Sequence, residues 1–154
     1  MNFFRSVLLA LTLLGIAATP SHGQLQLWVG GAYTEALGGQ WGGDARLAYN
    51  FVALPLEVFG GGDYFVTECE ESCSLRGWRV GGNLRFPIPG LTPYVSGAWV
   101  WRDWEVGVAK PKKEGLALGA GVSLEFGIRI QAEASREFLG GELDKLMFRV
   151  ALGF

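Results

Sequence analysis

Eight short segments of this chain alternate apolar residues with other residues, and four of the segments end in phenylalanine. The segments lie near 24–34, 41–51, 55–65, 75–86, 92–102, 115–126, 128–138 and 145–154. Side chains alternate between the two faces of a β-strand, so this period predicts eight strands with one apolar face each. The four phenylalanines are Phe51, Phe86, Phe126 and Phe154. We expect these strands to end at one level, with a ring of aromatic side chains on the apolar face.

The connections between the segments alternate in length and polarity. Those that follow a phenylalanine-ended segment are short, whereas the others are more polar and mostly longer, at 35–40, 66–74, 103–114 and 139–144. Alternating short turns and longer loops are typical of an antiparallel up-and-down barrel that is exported to a membrane. Both chain ends then lie on the short-turn side, which requires an even number of strands.

The first 23 residues have the composition of a secretory signal peptide. Arg5 supplies a positive charge before the apolar run at 7–18, and small residues including Gly23 follow. The run is too short for a membrane-spanning helix. We therefore expect a signal peptide at 1–23 and a folded domain at 24–154, with an uncleaved anchor as the alternative.

Charge and hydropathy exclude two classes of protein. Removing Arg5 from the 13 basic residues leaves 12 against 15 acidic residues, a formal charge of −3 that does not fit a nucleic-acid-binding protein. After residue 23, no segment approaches 18 uncharged apolar residues, and even the apolar stretch 115–124 is bounded by Glu114 and Glu125. A helical membrane protein is therefore excluded.

The distribution of lysine indicates which face of the strands meets the solvent. A soluble barrel buries its apolar face, whereas a membrane barrel turns that face to lipid. Lysine occurs only at 110, 112, 113 and 145, in or beside predicted loops. This favours the membrane barrel, because a cation facing lipid costs about 2–4 kcal/mol at the midplane. The alternative is a soluble exported barrel that binds an apolar ligand. The facing of 92–102 is left open, because its two rows are similarly apolar.

The polar rows of the predicted strands carry both signs of charge. The charged residues assigned to the interior are Asp44, Arg46, Glu57, Asp63, Arg79, Arg85, Glu125, Arg129, Glu133, Glu137 and Arg149. An eight-stranded barrel is only wide enough for side chains inside, and buried charges must pair. We therefore predict a nearly neutral network that plugs the lumen. The alternative is an ion path along the same charges.

Two loops and the two cysteines are further candidates. Cys69 and Cys73 are expected to form a disulfide in an exported protein, with a metal site beside the neighbouring glutamates as the alternative. The acidic loop 66–74 and the basic loop 103–114 are candidates for binding an extracellular partner or the anionic groups of the outer leaflet. The alternative is that both loops are simply solvated.

Enzymatic functions are disfavoured by the histidine content. The single histidine, His22, lies in the predicted signal peptide, so the remaining chain has no imidazole base. Glycine-rich stretches such as 60–62 lack the helix and lysine of a phosphate-binding loop. We predict a protein that is not an enzyme and has no cofactor or metal.

The export segment, the eight strands, the short turns and the terminal Phe154 together resemble the small eight-stranded outer-membrane β-barrels, such as the OmpA transmembrane domain and OmpX-like proteins. The resemblance covers residues 24–154 and is architectural. It implies the outer membrane of a Gram-negative-type envelope, with outer-membrane lipid as surroundings. It also implies that the last strand is read by the barrel-assembly machinery. The matching positions are Phe148, Val150, Leu152 and Phe154.

We therefore predict an all-β fold, an eight-stranded antiparallel up-and-down transmembrane β-barrel that follows a cleaved signal peptide. The four phenylalanines would form a girdle at the periplasmic membrane boundary. The chain ends at the barrel, so we expect no peptidoglycan-binding domain. We also expect a monomer. The first functional hypothesis is a structural or surface-interaction protein with a closed polar interior. A minor pore for ions or small solutes is the second.

Overall fold

The computed structural model describes residues 23–35, 38–51, 53–67, 73–106, 111–126, 128–140 and 144–154. Apart from Gly23, the predicted signal peptide therefore lies outside the described residues. The loop that contains Cys69 is also outside them, and of Cys73 only the backbone is described. Within the described part, no helix is long and apolar enough to cross a membrane.

Eight antiparallel strands form a closed barrel in chain order. The strands are β1 (Gly23–Thr34), β2 (Gln40–Phe51), β3 (Leu56–Thr67), β4 (Cys73–Arg85), β5 (Leu91–Val106), β6 (Lys112–Phe126), β7 (Ile128–Phe138) and β8 (Lys145–Gly153). Each strand pairs with the next, and β8 pairs with β1. This confirms the predicted eight-stranded up-and-down barrel. Below, the lower end is the one that carries Gly23 and Phe154, and the upper end is opposite.

The strands are staggered as they pass around the barrel. A path through directly paired residues starts at Gln24, crosses β2 to β8, and returns to β1 at Thr34. The path therefore advances ten positions along β1, which is the shear of the barrel. Closure with such a shear tilts the strands by about 35–45° from the barrel axis.

The polar rows face the lumen and the apolar rows face outward. Exposed outward residues include Val29, at 46% exposure, and Leu118, at 50%, whereas Asp44 and Arg46 are buried inside. A soluble barrel with an apolar interior has the opposite sense. In β5, whose facing the sequence left open, Tyr94, Ser96 and Ala98 point inward, and Val95, Gly97 and Trp99 form the outward row.

The expected bounds of the two candidate loops were wrong at their strand ends. Residues 103–106 and 112–114 belong to β5 and β6, while 66–67 and 73–74 belong to β3 and β4. The cause is that strand pairing continues above the apolar band, where outward residues such as Asp103 and Glu105 are polar. The apolar alternation used for the prediction ends there, but the backbone ladder does not.

The lumen as candidate functional site

Eight buried charged side chains meet in the middle of the lumen. This central charge cluster consists of Asp44, Arg46, Asp63, Arg79, Arg102, Glu133, Glu137 and Arg149, contributed by six strands. None of them is more than 6% exposed. Four arginines face four carboxylates, so the cluster is formally neutral. Such a balance matters because an unpaired buried charge is strongly destabilising.

The arginines of the cluster bridge carboxylates on different strands. Arg79 donates to Asp44 at 3.0 Å and to Glu133 at 2.9 Å. Arg149 donates to Glu133 at 3.2 Å and to Glu137 at 3.3 Å, and it lies 3.5 Å from Asp63. The planar guanidinium suits this role, because its five N–H groups can serve several acceptors at once.

Arg102 was missed by the sequence analysis, although it belongs to the central charge cluster. Its Nε donates to Glu137 at 2.9 Å, and its two terminal nitrogens contact both carboxylate oxygens of Asp63. It was missed because the facing of β5 was ambiguous and Arg102 ended the predicted segment. The sequence did contain an indication of its position. Arg102 lies an even number of residues from Tyr94, Ser96 and Ala98, so all four side chains are on the same face of the strand.

Apolar side chains lie on both sides of the central charge cluster. Below it, the Arg46 guanidinium lies 5.8 Å from the Trp28 ring centroid and 5.1 Å from that of Phe59. Above it is an apolar cap formed by Ala32, Phe65, Leu75, Trp104 and Met147. The cap leaves a cavity of about 10 Å³ beside Arg102 and Glu137, which is at the lower limit of the volume that can hold one water molecule.

Four of the predicted interior charges lie at the lower mouth instead of in the central cluster. Glu57 is buried and accepts from Asn83 at 2.5 Å, and the Arg85 guanidinium lies 3.8 Å from it. The Glu125 side chain is 47% exposed, and Arg129 contacts Gln24 at 3.4 Å. These residues sit near the last rung of their strands, where the lumen meets solvent. The predicted single network is therefore two separate groups.

Aromatic side chains project outward at both ends of the barrel. The four phenylalanines named from the sequence lie at the lower end, with exposures of 37% for Phe51, 52% for Phe86, 73% for Phe126 and 74% for Phe154. A second belt at the upper end was not predicted. Its members are Tyr33, Trp41, Tyr64, Trp78, Trp99, Trp101, Phe138 and Phe148. The sequence could have indicated this belt, because most strands carry an aromatic residue on the apolar row near the end opposite the four phenylalanines.

The two candidate loops spring from neighbouring hairpins. Strands β4 and β5 stay paired up to Cys73 and Val106, which brings the bases of the loops together. We call this part of the upper end, where β4, β5 and β6 extend to Cys73, Val106 and Lys112, the raised side. On it, Arg76 pairs with Glu105 at 2.8 Å, and Lys112 lies 3.8 Å from Asp103. The disulfide and its metal alternative stay predictions, because Cys69 is outside the described residues.

Comparison with known proteins gives similarity in fold only. No protein-family model and no curated protein sequence matches the chain. The structure of Neisserial surface protein A (NspA) matches with a TM-score of 0.62 at 13% identity, over 86% of this chain and 97% of that one. Ail, the attachment invasion locus protein of Yersinia pestis, matches with 0.59 at 18% identity, over 86% and 97%. The N-terminal β-barrel domain of Pseudomonas aeruginosa OprF gives 0.56 at 18%, over 86% and 98%.

These solved structures are eight-stranded outer-membrane β-barrels. Each of the three is covered almost completely by the match, so the similarity concerns the whole barrel and not a shared hairpin. It confirms the architectural resemblance predicted from the sequence. This chain therefore has the fold of the small eight-stranded outer-membrane β-barrels.

Proposed function

We propose that this chain is a monomeric outer-membrane barrel of a Gram-negative-type envelope, with a structural or surface-interaction role and no enzymatic activity. The observation that carries the proposal is the combination of an apolar outer wall, bounded by two aromatic belts, with a charge-neutral lumen. Outer-membrane lipid would surround the wall, and the barrel-assembly machinery would insert it.

The outer wall supports residence in a membrane. Large apolar side chains project from every strand between the two belts, among them Val29, Val80 and Val150 at 46–58% exposure. Water-soluble monomers rarely expose contiguous apolar patches larger than a few hundred Å². In a bilayer the same wall contacts lipid, and the closed ladder of β1 to β8 leaves no strand edge exposed to it.

The lumen supports a closed interior over a pore. The central charge cluster fills the middle with paired charges, and the apolar cap adds a layer that water wets poorly. An ion crossing this path would have to separate buried ion pairs such as Arg79–Glu133. Breaking one partner out of such a pair costs several kcal/mol.

The raised side of the upper end supports a surface role. The described bases of the loops 66–74 and 103–114 lie side by side, because β4 and β5 stay paired up to Cys73 and Val106, and Lys112 and Lys113 are exposed at the base of the second loop. Ail of Yersinia pestis has been solved in complex with the heparin analogue sucrose octasulfate. We propose that these loops are the contact surface of this chain for an extracellular partner, anionic groups included.

Fractionation tests the membrane assignment. We expect the protein to sediment with outer membranes, to need detergent for extraction, and to show a heat-dependent shift in gel mobility. Protein that stays in solution without detergent would overturn the assignment.

Planar-bilayer recordings test the closed lumen. We expect no reproducible unit conductance from pure folded protein at moderate voltage. A reproducible unit conductance would overturn the closed lumen and favour the pore alternative instead.

A further inference from the structure

A cavity of about 350 Å³ opens at the lower mouth of the barrel, away from the central charge cluster. Its lining includes four polar residues, which are Asn50, Arg85, Thr92 and Glu125. The other lining residues are apolar. They are Phe51, Ala53, Leu54, Pro55, Leu56 and Pro87. The size is within the range of small-molecule sites, which pair an apolar wall with a few placed polar groups.

Arg85 is the cation of this cavity, and its hydrogen-bonding capacity is mostly unused. Among the described residues its guanidinium donates only to the Asn50 amide oxygen. The nearest carboxylate oxygens, on Glu57 and Glu125, lie at 3.8 Å and 3.7 Å, beyond hydrogen-bond distance. By contrast, Arg102 donates to two carboxylates through all three of its nitrogens.

A second polar group beside Arg85 is incompletely paired. Asn50 is 9% exposed, and its Nδ2 has no hydrogen-bond partner in the described part of the chain. That Nδ2 is fully buried, so Asn50 serves the cavity only by holding Arg85 through its amide oxygen. The remaining N–H donors of Arg85 favour an oxyanion as ligand.

The two carboxylates near Arg85 do not prevent such a ligand from binding. Glu57 is held by Asn83 at 2.5 Å and does not line the cavity. Glu125 does line it, but its side chain is 47% exposed. Glu125 can therefore give up its distant contact with Arg85 and remain solvated by water.

We propose that this cavity binds the anionic head of an amphipathic molecule, either a carboxylate or a phosphate, with Arg85 as the anchor. The apolar wall takes the start of the tail. The site goes beyond the proposed function, because it requires neither a closed lumen nor a surface partner. Phe51 lines the cavity and also belongs to the lower aromatic row, so the tail of the ligand can continue toward the outer wall.

Calorimetric titration of the folded protein in a non-ionic maltoside detergent tests the proposal. The probes are sodium octanoate, octyl phosphate and inorganic phosphate, each below micelle-forming concentration. We expect at least one alkyl probe to bind, and inorganic phosphate to bind at least about tenfold more weakly, because it lacks a tail. Binding of octanoate alone supports a free carboxylic acid, and binding of octyl phosphate alone supports a phosphate head group. Equal binding of inorganic phosphate, or no binding of either alkyl probe, would overturn the proposal.

Three variants locate the site. Arg85→Gln should weaken binding about tenfold or more, since it removes a charge-assisted contact. Glu125→Gln should strengthen it, because a competing anion is lost. Arg136→Gln, an exposed arginine at the upper end, is the matched control and should bind as the parent does. Heat-dependent gel mobility verifies that each variant is folded. Unchanged binding by folded Arg85→Gln, or weaker binding by Glu125→Gln, refutes the assignment.

Discussion

Arg102 and Asp63 form a bidentate ion pair across the lumen, from β5 to β3, and each side chain is only 1% exposed. The same guanidinium donates to Glu137 on β7. One residue thus joins three strands that are not neighbours in the wall. The Arg102 side chain therefore links parts of the wall that the backbone ladder does not connect directly.

Replacing Arg102 should therefore be costly. We expect Arg102→Met to lower the free energy of unfolding by about 3–5 kcal/mol, because Asp63 and Glu137 lose a buried partner. Urea unfolding of the protein folded into lipid vesicles measures this. Arg76→Met is the control, since Arg76 pairs with Glu105 in solvent, and exposed pairs contribute about 0.2–1 kcal/mol. Similar losses for both variants would contradict a structural role of the central charge cluster.

Gly77 leaves the space that the Arg102 guanidinium occupies. A Cβ at this position would collide with Arg102 and with Asp63. We expect Gly77→Ala to cost about 1–3 kcal/mol, because the ion pair must shift to make room. Gly43→Ala is the matched control, since a Cβ there meets nothing within 4 Å.

A double-mutant cycle tests the reason for that cost. In the Arg102→Met background, Gly77→Ala should lose most of its effect, because the guanidinium is gone and the Asp63 carboxylate, the other colliding group, is no longer held by it. A cost that is the same in both backgrounds would show that the collision with the Arg102 guanidinium is not its cause.

The depth of the outer wall gives a test specific to a membrane. Val29 and Leu25 lie on the same outward row of β1 and are both 46% exposed, but Leu25 is level with the lower phenylalanines, and Val29 is midway to Tyr33. Val29→Arg should cost about 2–4 kcal/mol in vesicles, and Leu25→Arg about 0–1 kcal/mol. Equal, small effects would fit a barrel surrounded by water.

Phe154 should matter more for assembly than for stability. Its backbone closes the seam through reciprocal hydrogen bonds with Leu27, at 2.8 and 3.1 Å, but its ring is 74% exposed. We expect Phe154→Ala to reduce the yield of inserted barrel in cells and to leave unassisted refolding into vesicles nearly unchanged. Phe126→Ala, with a ring 73% exposed on β6, is the control for loss of an aromatic side chain. Equal insertion yields for the two variants would argue against an assembly signal at the chain end.

The strands and their facing could be predicted because the polarity of each residue depends on whether its side chain faces outward or into the lumen. Val150 and Arg149 differ in polarity because one faces outward and the other faces inward. The stagger of the barrel could not be predicted in this way. A strand that slips by two residues keeps every side chain on its face, so the pattern is the same for several registers.

That limit also explains what was misjudged inside the barrel. Without the register, Glu125 and Asp63 look equivalent, although one lies at the mouth and the other in the central charge cluster. The apolar layers were missed for a different reason. Phe59, Phe65 and Trp104 lie on inward rows that also carry charged residues. These rows were assigned as polar on the basis of their charged members, and the apolar members were not considered.

The distribution of the central charge cluster over six strands has a consequence for how the protein matures. Arg149 lies on β8, the last strand to be synthesised, and it contacts Asp63 and Glu133 on β3 and β7. An unfinished sheet would leave those carboxylates with one cation too few. Electroneutrality of the interior is therefore reached only when the final strand docks. The buried charges therefore favour the complete cylinder over an intermediate that lacks β8.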